Sequence, residues 1–305
     1  FFHPHPGIPD PLWSRGLGDV YKRQVSGVTK NIGCVSGNTV QEIGGDLIFL
    51  APDGLRTIAG TARIDDIELS SISRKIMPLF RDEVMPFLSS IRFSSMVIRE
   101  KSQYRLFYFK SGTSNNIQGG VIGTFKISST GAGIYEWSQT KGIPAKVAHS
   151  GTAEDGSEVL FHSDESGYVF KHDSGNSFDG SNIVAQYKTP DLDYGDAGIR
   201  KSMDRININW EPEGIVSSSL FVRYNYDDIN TPQPTVIALV SDSTGAYFGT
   251  GIFGTSGYGQ GDLPITRESV EGSGFAVALK ITDTSTNAPF AIKGFQLEFT
   301  PGGRR

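Results

Sequence analysis

The stretch Arg205–Trp210, "RININW", decides the fold class. Ile206, Ile208 and Trp210 fall on one side of an extended chain, and Arg205, Asn207 and Asn209 fall on the other. A helix would scatter these residues around its circumference. A period of two, with β-branched and aromatic residues on the apolar side, specifies a strand with one buried face and one wet face. The same period returns three times nearby. "SLFVRYNY" (Ser219–Tyr226) aligns Leu220, Val222, Tyr224 and Tyr226. "FAVALKIT" (Phe275–Thr282) aligns Phe275, Val277, Leu279 and Ile281, and "KGFQLEF" (Lys293–Phe299) aligns Phe295, Leu297 and Phe299. With "EPEG" (Glu211–Gly214) as a type I turn, these strands predict an antiparallel β-sandwich over 187–305.

Upstream the chain is also β-rich, with shorter repeats. "VQEIGGDLIFLAPDGLRTIAG" (Val40–Gly60) reads as a hairpin turning at "APDG". Pro52 presets φ there, and Gly54 supplies a positive φ. "YRLFYF" (Tyr104–Phe109), "VIGTFKI" (Val121–Ile127) and "GIYEWSQ" (Gly133–Gln139) are further strands. "EVLFHSDESGYVFKHDSG" (Glu158–Gly175) is a second hairpin with "DESG" at its turn. One interval breaks the pattern. "ELSSISRKIMPLFRDEV" (Glu68–Val84) sets Ile72, Ile76, Leu79 and Phe80 at helical spacing, with Ser70 or Ser71 placed to cap and Pro78 placed to break. The strand groups fall near 40–65, 92–140 and 145–188, a spacing that suits propeller blades. The expected fold is therefore all-β: a partial β-propeller over 25–186, a short helical insertion near 70–85, and a C-terminal β-sandwich over 187–305.

Composition narrows the chemistry. The chain has 305 residues, a net charge of −5, and no apolar run long enough to span a bilayer. An acidic balance gives no general attraction to nucleic acid. The single cysteine, Cys34, excludes an internal disulfide framework and a cysteine-based zinc cluster, and reads as a small buried residue.

No catalytic motif emerges. Gly249, Gly251 and Gly254 spell G-x-G-x-x-G, but "TSGYGQGDLP" follows where a dinucleotide site needs a helix. The segment reads as a long loop instead, with Tyr247, Phe248, Phe253 and Tyr258 as candidate partner contacts. "DLDYGD" offers Asp191, Asp193 and Asp196 as weak calcium candidates, without the distal glutamate of an EF-hand. His149, His162 and His172 lack metal-ligand spacing and read as surface or turn residues. Trp137 and Trp210 lie on alternating strands, where sheet packing outweighs a sugar-binding role. No catalytic residue, cofactor site or cofactor is expected.

"KHDSGNSF" (Lys171–Phe178) is similar to the Asp-box turn of sialidase-type propellers, with Asp173 and Gly175 in place, Lys171 replacing the usual hydroxyl residue and Phe178 standing where the box has tryptophan. That box is a structural turn.

Three longer stretches, in order, resemble tailed-phage virion proteins. Gly37–Ser73 looks like a blade of the propeller-bearing tail nozzle, or tail tubular protein B, of short-tailed phages. Tyr187–Trp210 is similar to the junction between such propellers and a C-terminal sandwich. "FQLEFTPGGRR" (Phe295–Arg305) is similar to the C-terminal end of that group. The resemblance implies a virion structural protein of the tail or head–tail connector. It implies a homo-oligomeric ring with other tail proteins as partners, DNA passing nearby, no membrane and no catalysis. Arg304 and Arg305 join the contact candidates, because a pair of arginines forks to carboxylates on a neighbour. The alternatives are a carbohydrate- or receptor-binding β module and a propeller-type glycoside hydrolase.

The opening residues are set apart. "DVYKRQ" (Asp19–Gln24) is encoded by gat-gtg-tat-aag-aga-cag, which resembles the transposon end used to prepare sequencing libraries. Residues 1–24 are expected to be an artefactual or disordered leader, and the lacking blades are attributed to truncation.

Overall fold

A computed structural model describes residues 32–58, 71–110, 117–129, 131, 133–241 and 265–304. The leader at 1–24 and the aromatic loop with Tyr247, Phe248, Phe253 and Tyr258 lie outside these residues. The chain is all-β and divides into two units between Asp173 and Ser174. The sequence places that boundary at 186/187. Ala185–Lys188 pairs with a strand near the C-terminus, so the second unit starts earlier.

The first unit contains three antiparallel sheets. The first joins β1 (Gln41–Ile43), β2 (Asp46–Ala51) and β3 (Gly54–Thr57). The "APDG" hairpin forms as expected, with Ala51 opposite Gly54 and a φ of 121° at Gly54. The sequence reading took this stretch as one hairpin, but a second precedes it. Gly44 and Gly45 both have positive φ, 63° and 78°, which a two-residue turn of the I′ type requires.

The second sheet is a four-stranded meander: β4 (Arg92–Ile98), β5 (Gln103–Lys110), β6 (Ile117–Ile127) and β7 (Gly133–Lys141). The third joins β8 (Val147–Thr152), β9 (Glu158–Ser163) and β10 (Val169–Lys171). The "DESG" turn links β9 to β10, and Asp164 Oδ1 accepts from the amides of Ser166 and Tyr168.

Side-chain parity stacks these sheets. On the meander, Phe93, Val97, Tyr104, Leu106 and Tyr108 share one face and pack with Ile43, Ile48, Leu50 and Leu55 of the first sheet. Met96, Ile98 and Phe107 point the other way and pack with Ala148 and Leu160 of the third. The meander is thus covered on both faces. At Gly123 an added Cβ would lie 2.5 Å from the Trp137 ring, so the close seating of that indole requires glycine.

The helical insertion exists but is not one helix. Arg74–Ile76 and Met85–Phe87 are 3₁₀ turns, Met77–Leu79 is α, and Phe80–Val84 is a wide π turn. Pro78 and Pro86 sit in opening turns, where a missing N–H costs little, so neither breaks the run. Ser71 does not cap it. The cap position is Ser73, whose Oγ instead accepts the Leu55 amide at 2.8 Å. Phe80 and Val84 are fully buried against the first core.

In the second unit a two-residue ladder comes first, β11 (Ser177–Phe178) with β12 (Ser181–Asn182). Two larger sheets follow. One has the order β13 (Ala185–Lys188), β19 (Val277–Asp283), β15 (Val216–Tyr224), β16 (Ile237–Ser241). The other centres on β14 (Ile199–Pro212), flanked by β17 (Ile265–Ser269) and β18 (Ser273–Gly274) and by the long β20 (Phe290–Arg304). Ile206, Ile208 and Trp210 are buried as the opening stretch requires. They share one core with Leu220, Val222 and Tyr224 of β15 and Val277, Leu279 and Ile281 of β19.

Two expectations of the pattern fail. The chain leaves one sheet at β18 and enters the other at β19, so Phe275 lies in the crossing and does not align with Val277. Strand β15 ends at Tyr224, and Tyr226 beyond it is 75% exposed. Cys34, expected to be buried, is also exposed, with Sγ 3.0 Å from the Ser36 carbonyl.

Candidate functional site

The sequence-derived calcium candidates do not converge. Asp191 Oδ1 accepts the Tyr226 amide at 3.2 Å. Asp193 Oδ1 accepts the Gly195 amide, and Asp196 Oδ1 the Gly198 amide. Asp193 and Asp196 each serve their own turn, while Asp191 reaches across to the backbone after β15. Among the described residues no group of three or more His, Cys, Asp or Glu side chains is placed to hold a metal ion. Arg304 ends β20 with its backbone opposite Ile199, and Arg305 lies outside the described residues. Trp210 is buried and donates to Thr266 Oγ1. Trp137 is half-buried, donates to the Ile72 carbonyl and stacks on Tyr135.

Two constellations stand out. The first is a charged cluster between the second and third sheets of the first unit. Arg105 shares its β5 face with Phe107, so its guanidinium is buried toward β9 and β10. Nη1 lies 2.6 Å from Asp173 Oδ1 and Nη2 lies 2.8 Å from Oδ2, a bidentate fork. Lys101 Nζ adds a contact at 2.6 Å. Asp173 holds a φ of 54°, which brings its carboxylate back to β5. Arg105 Nη1 also reaches His172 Nε2 at 2.6 Å, and His172 Nδ1 lies 3.2 Å from His162 Nδ1.

His172 is thus buried, contrary to the surface reading. Burial first, and then the Arg105 charge, push its pKa down to about 4. A neutral ring that accepts at Nε2 carries its proton on Nδ1, which then donates to His162. Burial raises the Asp173 pKa, but the hydrogen bonds from Arg105 and Lys101 outweigh it and hold the group at about 2. Both ring nitrogens and both carboxylate oxygens are engaged. The cluster is built as a clamp between β5 and the end of β10. Sequence reasoning singled out Asp173 through the box-like turn, but missed Arg105. The only local sign was an arginine within the apolar run "YRLFYF".

The second constellation is a cleft of about 500 Å³ in the second unit. Its lining includes Asp193, Arg200, Asn225, Tyr226, Asp228 and Asn230. The wall after β15 is unusual. Asn225, Tyr226 and Asp227 all have left-handed φ, at 52°, 61° and 60°. Each such residue costs about 1–2 kcal/mol when it carries a Cβ, less for Asn and Asp. The surroundings enforce the shape. Asn225 Oδ1 accepts the Phe275 amide at 2.8 Å, and the Asn225 amide donates to the Ala276 carbonyl. Asp227 is held by Lys188 and Arg223. Gln233 ties the loop to both the amide and the carbonyl of Tyr224. Below, the buried Lys201 ammonium bridges the carbonyls of Asp196 and Phe275.

No protein-family model matches the chain, and no curated protein matches it.

Proposed function

We propose that the chain is a structural protein of a tailed-phage virion, in the tail or head–tail connector, that assembles into a ring around a DNA conduit. The reading has a partial β-propeller followed by a β-sandwich and no catalytic role. One observation carries it: small antiparallel sheets stacked face to face, with a four-stranded meander covered on both sides, precede a unit of two sheets around one core. Stacked four-stranded meanders are how propeller blades pack, and two facing sheets are how sandwiches close. The order matches the three stretches that resemble nozzle proteins. The Arg105–Asp173 clamp supports the same reading, because it ties adjacent sheets together. The net charge of −5 suits walls that do not grip DNA. No helix among the described residues is long and apolar enough to cross a membrane. Tyr247, Phe248, Phe253, Tyr258, Arg304 and Arg305 are the subunit-contact candidates. Negative-stain microscopy of the product of the complete gene tests the proposal: rings support it, and a strictly monomeric product contradicts it.

A further inference from the structure

We infer that the cleft beside the left-handed turn of the second unit is a binding site for a neutral oligosaccharide, with Tyr226 as its stacking platform. The inference rests on that cleft alone and stands apart from the tail reading. Three observations meet there. The first is the ring: Tyr226 is 75% exposed at the cleft wall, where burial gives no account of an aromatic residue. The second is strain. Tyrosine is a poor choice for a φ of 61°, which glycine adopts freely, yet the flanking residues are the ones that tolerate it. A strained backbone aims this ring outward, and strain of that kind gathers at ligand clamps.

The third observation is the chemistry of the other lining groups. Arg200 spends Nε on Ser273 Oγ at 2.8 Å, and its terminal nitrogens have no partner among the described residues. Asp193 uses Oδ1 on Gly195 and leaves Oδ2 without one. Asp228 is oriented by Asn230 and Thr231. Planar carboxylate, guanidinium and amide groups pair with vicinal hydroxyls, while the ring face meets the C–H face of a pyranose. The cleft lining carries one cation, Arg200, against two carboxylates, Asp193 and Asp228, a balance that disfavours an anionic sugar, so the ligand class is neutral. The loop is pinned by Asn225 and Gln233, which lowers the ordering cost of binding.

The test is ligand-observed NMR and calorimetry on the intact protein with maltotriose, cellotriose and tri-N-acetylchitotriose. At least one is expected to bind with a Kd of about 1 mM or tighter. Tyr226→Ala is expected to weaken it by about tenfold or more, and Tyr226→Phe to leave it within about threefold. Arg200→Ala is expected to weaken it comparably. Binding of none of the three probes overturns the inference. So does binding that Tyr226→Ala and Arg200→Ala leave unchanged while both variants keep the wild-type circular dichroism.

Discussion

Arg105 and Asp173 meet through two parallel contacts, 2.6 Å from Nη1 to Oδ1 and 2.8 Å from Nη2 to Oδ2. The arginine side chain is 8% exposed and the aspartate 24%. Removing one partner leaves the other charge without its match inside the protein. Arg105→Ala and Asp173→Asn are therefore each expected to destabilise the first unit by roughly 3 kcal/mol, measured by urea unfolding. Arg105→Lys is expected to recover little of that loss, because an ammonium cannot fork. Recovery to wild-type stability by the lysine would show that charge alone suffices.

The same cluster sets a pH dependence. His172 has its pKa depressed from 6.5 to about 4. The unfolded chain binds this proton between those values and the folded chain does not, so stability falls as pH drops from 6.5 to about 4. His162 is shifted the same way, chiefly by burial, and adds to the same window. Asp173 is depressed from 3.8 to about 2, and its contribution is present above 3.8 and lost as pH falls toward 2. His172→Gln, whose amide oxygen can still accept from Arg105, is expected to flatten the upper window and spare the lower one. Equal slopes in the two proteins between pH 6.5 and 4 would assign the effect elsewhere.

A packing prediction concerns Gly123, which lies opposite Trp137 on β7. An added methyl would meet that ring at 2.5 Å. Gly123→Ala is expected to cost about 1–3 kcal/mol through overpacking and to shift indole fluorescence to the red as Trp137 is pushed into water. Unchanged emission and stability would mean the ring has room to move.

The left-handed turn separates stability from binding. Tyr226→Gly relieves the strain but adds freedom to the unfolded chain, and the two effects nearly cancel, so stability is expected to stay within about 0.5 kcal/mol. Leu220→Ala, in the fully buried core nearby, is expected to cost about 2–5 kcal/mol. A large loss for Tyr226→Gly would mean that the ring packs more than its exposure indicates.

Strand identity was legible in the sequence wherever a period of two ran unbroken. Ile206, Ile208 and Trp210 needed only their own spacing to be placed in the core. The exceptions depend on distant partners. Phe275 shares the period of its neighbours, yet the chain changes sheets beside it, and no local signal marks that crossing. Tyr226 continues the alternation of β15, but "NYDD" holds the Asn and Asp residues that accept left-handed backbone, a sign of the turn that strand reading passed over. The Gly44–Gly45 hairpin was equally open to a turn-based reading. Arg105 and Asp173 are 68 residues apart, so only folding brings them together. The helical run was visible as an apolar period, whereas its mixture of turn types was not.

The central claim is assembly. The product of the complete gene, purified at neutral pH and viewed by negative-stain microscopy, tests it most directly. The account predicts closed rings with a central opening wide enough for duplex DNA. A uniform population of single subunits over the accessible range of concentration would contradict it.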